Sequence, residues 1–331
     1  MPRFLIIRFS SIGDIVLTSP VVRCLKRQMP EAEIHFLTKP AFSEILQNNP
    51  YIDRVWKWVE APASLVRELK NQRFDYVLDL HHNLRSARVK WLLGVKSYSF
   101  NKLNIEKYLY VNFRLNRLPD KHIVDRYMET VKTLGIVNDQ KGLDFFISPA
   151  DDFSVAGLPQ SHQSGYVALV IGALKATKQL PVEKLIELCR LIKFPIVLLG
   201  GAAEKATADL IMQQSGDGVY NLCGKLRIGQ SASVIQKSGV VVTHDTGLMH
   251  IAAAFHKPII SIWGNTTPEF GMYPYLPAEQ DKNVQSEVKG LSCRPCSKIG
   301  FSACPKGHFR CMIDQDLRAI SKQIGYLYGH F

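Results

Sequence analysis

Short apolar runs alternate with amphipathic stretches along nearly the whole chain, and no other feature limits its fold so strongly. In the first half "FLIIRF", "EIHFLT", "RVWKWV" and "DYVLDL" read as strands, with "IVLTSPVVRCLKRQ", "SLVRELKNQ" and "SARVKWLLG" as helices between them. Strand–helix–strand alternation at this spacing predicts a parallel sheet covered on both faces. The pattern weakens after Gly142 through "SPADDFSVAGLPQSHQSG", a polar stretch rich in turn formers, and then restarts. "YVALVIG", "PIVLLGG", "VYNLCG", "GVVVTHD" and "PIISIWG" form the second set of strands, separated by "VEKLIELCRLI", "EKATADLIMQQ", "SASVIQKS" and "TGLMHIAAAF". The expected fold class is α/β: two doubly wound parallel-sheet domains, 1–150 and 151–313, facing across a cleft. The last segment, 314–331, is expected to form a helix that packs back toward the N-terminal domain.

Length agrees with two domains, since 331 residues exceed what one hydrophobic core usually organises. Apolar residues at 46% and charged residues at 21% place the chain among folded globular proteins. No apolar run approaches the roughly 20 residues of a membrane span, and "PRFLIIRF" enters a strand without a signal-peptide cleavage region. A cytoplasmic location is the expectation. The formal charge of +12 favours anionic partners: nucleic acid, lipid headgroups or phosphorylated small molecules. Zinc-finger spacing, an aromatic RNA-binding signature and long basic runs are missing, which argues against nucleic acid.

Each half carries a polar joint between a strand and a helix. In "RFSSIGD", Ser10, Ser11 and Gly13 offer hydroxyls and amides at a helix start, and Asp14 is a candidate general base as well as a favourable first-turn acid. In "THDTGLMH", a helix starting near Thr246 brings His250 onto the same face one turn later, so a hydroxyl, amides and an imidazole can converge on one anion. "IGALKATKQLP" presents Lys175 and Lys178, either of which can neutralise a phosphate, and "LLGGAAEKA" presents Glu204, suited to a ribose diol. "DLHHNLRSARVK" places His81, His82, Asn83, Arg85 and Arg88 after a first-domain strand, for a phosphorylated ligand or as a solvated basic helix start. Neither G-x-G-x-x-G after a strand nor G-x-x-x-x-G-K-[ST] occurs, which argues against a routine dehydrogenase and a P-loop enzyme. The one D-x-D, Asp314 to Asp316, opens the last helix and reads as a cap, not a metal–diphosphate clamp.

Four segments in order, "RFSSIGDIVLTSPVV", "GALKATKQLP", "LLGGAAE" and "THDTGLMHIAAAFHKPIISIWGNTTP", resemble the ADP-heptose:lipopolysaccharide heptosyltransferases of glycosyltransferase family 9. The resemblance implies a GT-B fold of two Rossmann-like domains, with the sugar nucleotide on the C-terminal one and the acceptor on the N-terminal one. It implies Asp14 as catalytic base, Lys178 on phosphate, Glu204 on ribose, and Asp245, Thr246, Gly247 and His250 around the diphosphate and sugar. Ser10, Ser11, Gly13, His81, Asn83, Arg85 and Arg88 then fall on the acceptor side. The implied activity is inverting transfer of heptose from ADP-heptose to a lipid-linked lipopolysaccharide core, with no cofactor required. The implied place is the cytoplasmic face of the inner membrane, in peripheral contact with its anionic surface. Two other readings stay open: a family relative with a different nucleotide sugar or surface glycan, and a nucleotide- or nucleic-acid-binding protein on the same scaffold. The residues do not specify an oligomeric state.

Cys293, Cys296, Cys304 and Cys311 are spaced in a way that can build a tetrahedral thiolate site for a structural zinc ion. Reduced, partly buried thiols are the plainer expectation in a reducing compartment.

Overall fold

Phe4, Leu5, Ile6 and Ile7 all have zero exposure, so the first strand is apolar on both faces and belongs in the middle of a sheet. The structure is a computed structural model and describes residues 1–59 and 63–330. In chain order its first elements are β1 (Arg3–Ile7), α1 (Ile12–Val16), α2 (Ser19–Gln28), β2 (Glu33–Thr38), β3 (Arg54–Lys57), α3 (Ala63–Asn71), β4 (Tyr76–Asp79), α4 (Leu84–Leu93), β5 (Lys96–Ser99), α5 (Asn104–Phe113) and α6 (Ile123–Lys132). Then follow α7 (Gln160–Gln163), β6 (Val167–Val170), α8 (Val182–Leu191), β7 (Ile196–Leu199), α9 (Lys205–Ser215), β8 (Val219–Asn221), α10 (Ile228–Lys237), β9 (Val240–His244), α11 (Gly247–Ala254), β10 (Ile259–Trp263), β11 (Asn283–Glu287), α12 (Arg310–Ile313) and α13 (Leu317–His330).

The chain divides into two units, Met1–Leu103 with Lys121–Phe146, and Asn104–Asp120 with Ile147–Phe331. The first holds a parallel sheet in the order β3-β2-β1-β4-β5, the second a parallel sheet in the order β11-β10-β9-β6-β7-β8. In each, chain direction across the sheet reverses at one place: between β1 and β4, and between β6 and β9. Loops at the carboxyl ends of those strand pairs diverge and leave room for a ligand. These are the two doubly wound parallel-sheet folds that the alternation predicts.

Three details depart from the sequence reading. "IVLTSPVVRCLKRQ" is not one helix, because Pro20 has no N–H to give the carbonyl of Val16; the Ser19 hydroxyl donates to that carbonyl at 2.7 Å, and α1 ends there. The strands β5 and β11 were not read at all. Both lie at a sheet edge, half-exposed and polar in composition, so they lack the apolar run that marks the inner strands. Finally, Asn104–Asp120 groups with the second unit, where Tyr110 donates to Glu269 (2.6 Å) and Arg114 to the carbonyls of Ser292 (2.9 Å) and Pro295 (3.0 Å).

The terminal helix α13, capped by Asp316 through the backbone N–H of Ala319, lines one face with Leu317, Ile320, Ile324 and Leu327. That stripe is committed to the core of the second unit, with Val240, Val242, Ile260 and Ile262 of the central strands. Among the described residues no helix is long and apolar enough to cross a membrane.

Candidate functional site

In the first unit the chain leaves β1 through Arg8, Phe9, Ser10 and Ser11 and enters α1, which carries Asp14 in its first turn. Ser11 donates to Oδ2 of Asp14 through its backbone N–H (3.1 Å) and its hydroxyl (2.8 Å), while Nη2 of Arg8 pairs with Oδ1 at 2.6 Å. Arg8 is anchored in turn: Nε donates to the carbonyl of Ser10 (2.8 Å) and Nη1 to that of Leu80 beyond β4 (2.5 Å). Burial alone pushes the Asp14 carboxyl up. The Arg8 guanidinium and the two Ser11 bonds outweigh it, so the group is held below the usual carboxylate range and stays ionised. Its side chain keeps 20% exposure, enough to receive a proton from outside.

The sequence reading missed two members of this cluster. Arg8 interrupts an otherwise apolar strand end, "FLIIRF", and such a lone cation was the available signal. Tyr127 lies 6.0 Å from the Arg8 guanidinium, fully buried, with a hydroxyl that has no hydrogen-bond partner; burial drives its pKa up. Nothing in its local sequence distinguishes it from a core aromatic.

The neighbouring loop, after β4, is organised by Asp79, which has zero exposure. Its carboxylate accepts from the backbone N–H groups of His81 (3.1 Å) and His82 (2.6 Å) and from the Ser86 hydroxyl (2.8 Å), and pairs with Lys90 (2.9 Å). His81 packs edge-on against Phe9, its Nδ1 buried without a partner, and its pKa is lowered to about 4 by burial, with Arg8 and Lys102 adding to the effect. Asn83 spends its side chain capping α4 by accepting from the N–H of Ser86 (3.0 Å). Arg85 and Arg88 lie on the exposed side of α4. The structure therefore gathers Ser10, Ser11, Gly13, Asp14 and His81 on the loops that follow β1 and β4, and places Asn83, Arg85 and Arg88 at the start and on the exposed side of α4.

In the second unit β9 runs into Asp245 and Thr246, and α11 starts at Gly247. Thr246 stands in the N-cap position with extended backbone, yet its side chain makes no cap bond, and its hydroxyl lies 3.4 Å from that of Thr243. First-turn amides of such a helix have no partner within the helix and carry its positive end. Lys178, from the loop after β6, pairs with Oδ2 of Asp245 at 2.5 Å, and the Thr266 hydroxyl donates to the same oxygen at 3.0 Å. His244 accepts from the N–H of Leu180 through Nε2 (3.0 Å); burial brings its pKa down to about 4, so it is a neutral spacer between the two loops. His250 is buried on α11 beside Met249 and Ile251. Glu204, after β7, accepts from the backbone N–H of Gly201 (2.8 Å). Gly172 gives it room, since a Cβ there would come within 2.9 Å of its carboxyl carbon.

Asn265, after β10, was not singled out in the sequence. It is 2% exposed, and neither its side-chain nitrogen nor its oxygen has a hydrogen-bond partner, although its backbone carbonyl accepts from Cys296 (3.0 Å). An unsatisfied buried carboxamide beside Thr266 and Asp245 suits a polar ligand. Its signal was the polar "NTT" directly after an apolar strand.

The cysteine segment closes over this region: Arg294 donates to the carbonyls of Gly264 (2.5 Å) and Thr266 (3.0 Å), and Thr177 bonds Phe301. Cys293, Cys296, Cys304 and Cys311 are all free thiols. Burial, reinforced by the neighbouring thiols, pushes Cys296 up to about 12, and burial pushes Cys311 up to about 11. Among the described residues no three His, Cys, Asp or Glu side chains gather closely enough to hold a metal ion. The zinc site that the spacing allows is not assembled among the described residues.

The sequence profile of glycosyltransferase family 9 (heptosyltransferase) matches residues 63–303. Lipopolysaccharide heptosyltransferase 1 of Campylobacter coli is 25% identical over 288 residues, covering 79% of this chain and 83% of that protein. Among solved structures, a family 9 glycosyl transferase from Veillonella parvula superposes with a TM-score of 0.77 at 19% identity, over 100% of this chain and 98% of that one. Escherichia coli heptosyltransferase WaaC with ADP gives a TM-score of 0.67 at 21% identity, over 98% and 99% of the two chains.

Proposed function

Because the chain belongs to glycosyltransferase family 9, we propose that it transfers heptose from ADP-heptose to a lipopolysaccharide core acceptor, with inversion at the anomeric carbon. The observation that carries this reading is the joint between β9 and α11. An uncapped helix start, a lysine held ready by Asp245 and a vacant carboxamide at Asn265 make a seat for a nucleoside diphosphate sugar.

In the proposed reaction the α11 amides and Lys178 meet the diphosphate, and Lys178 exchanges Asp245 for a phosphate oxygen. Asp245 stays anchored by Thr266 and accepts from sugar hydroxyls. Glu204 trades its bond to Gly201 for the ribose diol. Asp14, ionised and fixed by Arg8 and Ser11, takes the proton from the acceptor hydroxyl as that oxygen bonds to the anomeric carbon. The carbon–oxygen bond to ADP breaks in the same displacement, and the diphosphate leaves with the electron pair. Ser10, Ser11, Gly13 and His81 border the acceptor. A weakly basic carboxylate suits this role, because the hydroxyl proton becomes acidic only as the new bond forms.

The test supplies ADP-heptose, UDP-sugars and a heptose-deficient lipopolysaccharide acceptor, with products weighed by mass spectrometry. A mass gain of one heptose from ADP-heptose alone is expected. Transfer from a UDP-sugar and none from ADP-heptose overturns the donor assignment.

A further inference from the structure

The outer face of α4 combines features that water does not favour. Its inner side, Ser86 and Val89, is buried, and the helix is closed by the Asn83 cap and by Gly94 in the left-handed conformation (φ 67°). On the other side Leu84 is 90% exposed and Trp91 is 80% exposed. They stand seven positions apart, two turns on one face, with Arg88 between them and Arg85 at the flank. The other three tryptophans, Trp56, Trp58 and Trp263, are 4%, 6% and 1% exposed, so this chain buries tryptophan everywhere except here. Neither Arg85 nor Arg88 has an ion-pair or hydrogen-bond partner among the described residues. From Leu80 to Ile105 the sequence carries Arg85, Arg88, Lys90, Lys96 and Lys102 and no Asp or Glu.

We propose that the Leu84–Arg88–Trp91 face of α4 is a membrane-docking surface that seats on a bilayer rich in anionic lipid. Leucine enters the acyl boundary, the tryptophan ring takes the headgroup level it favours, and the two arginines meet lipid phosphates. Charge complementarity selects the occupant. A face of leucine and tryptophan alone suits a protein partner as well, whereas one set in 26 residues without an acid suits a negative surface. The short helix dips into one leaflet and does not span it, in keeping with reversible attachment near a lipid-linked acceptor.

Trp91 is its own reporter, because the other tryptophans are shielded. The full chain is mixed with phosphatidylcholine vesicles, with and without phosphatidylglycerol, with neither donor nor acceptor present. The expected result is a blue shift of emission and quenching by brominated lipid on the anionic vesicles only. Trp91→Phe abolishes the shift while sedimentation with vesicles persists. Leu84→Ser with Trp91→Ser abolishes co-sedimentation, and Arg85→Gln and Arg88→Gln each weaken it by about fivefold. Circular dichroism of each variant confirms that its fold is retained. Vesicle binding that survives Leu84→Ser/Trp91→Ser, or no binding by the parent chain, overturns the proposal. So does self-association that these substitutions abolish in the absence of lipid binding, which assigns the face to a second copy. Because no substrate is present, lack of vesicle binding leaves the transfer reaction untouched, and lack of transfer leaves this surface untouched.

Discussion

Replacing Arg8 by methionine removes a cation that makes three contacts at once while keeping a side chain of similar length. Lost are the pair with Asp14 at 2.6 Å and the bonds to the carbonyls of Ser10 and Leu80 at 2.8 and 2.5 Å. The Arg8 and Asp14 side chains are 9% and 20% exposed, so water cannot fully replace the guanidinium. Breaking a buried pair from one side costs about 3–5 kcal/mol, and the partial exposure of Asp14 places the expectation at the lower end, about 3 kcal/mol. The pH dependence has a definite sign. Burial raises the Asp14 pKa, but Arg8 and Ser11 bring it below its ordinary value. The pair's stabilisation is therefore complete above the unfolded carboxylate pKa of about 3.9 and disappears as pH falls through the lower folded value. Urea unfolding, followed through the buried Trp56 and Trp58 in a Trp91→Phe background, measures this. Arg8→Met loses about 3 kcal/mol at neutral pH, and the gap to the parent narrows in acid. An equal gap at both pH values refutes the assigned role of the pair. Arg8→Lys keeps the charge without the three-way fork, folds more securely, and moves the acid limb of the transfer rate upward.

Other expectations follow from the two sites. Asp14→Asn removes the proposed base at constant shape and is expected to lower kcat by roughly 10² to 10⁴ with little change in donor affinity, read from steady-state release of ADP; an unchanged kcat assigns proton removal elsewhere. Lys178→Ala deletes the proposed charge-assisted contact to phosphate, worth about 1.5–3 kcal/mol, and is expected to weaken ADP binding by roughly 10- to 150-fold in calorimetry, whereas unaltered affinity excludes Lys178 from the diphosphate seat. Asn265→Leu replaces an unpartnered amide by an apolar side chain, so the ligand-free protein melts at the same or a higher temperature while the protection given by ADP shrinks. A lower melting temperature with ADP protection intact makes Asn265 structural instead.

What could be read in advance was local. The inner strands announce themselves as unbroken apolar runs because they are covered on both faces, and the joints at Ser10–Asp14 and Asp245–Gly247 stand out because polar residues there interrupt the pattern. The edge strands β5 and β11 were invisible for the converse reason. Asn83 shows how one residue supports two readings: a polar residue before a helix serves equally as cap or ligand, and in this fold its Oδ1 accepts the cap bond from Ser86. The cysteine spacing allowed a metal site, and the fold does bring the thiols near enough to raise the Cys296 pKa, yet among the described residues no three ligands are arranged to hold an ion.

By itself the sequence determined the periodicities, and with them two sheets of parallel strands and the chemical character of each strand-to-helix joint, since these depend on neighbours a few residues away. Only tertiary structure decided which joints share an edge. Strand order β3-β2-β1-β4-β5 puts Leu80 beside β1, so that Arg8 is clamped from two loops and can hold Asp14; strand order in the second sheet puts the loop of Lys178 beside Asp245. Those pairings join residues 72 and 67 positions apart. They arise from the packing of whole strands, a choice among alternatives that no short stretch of sequence encodes.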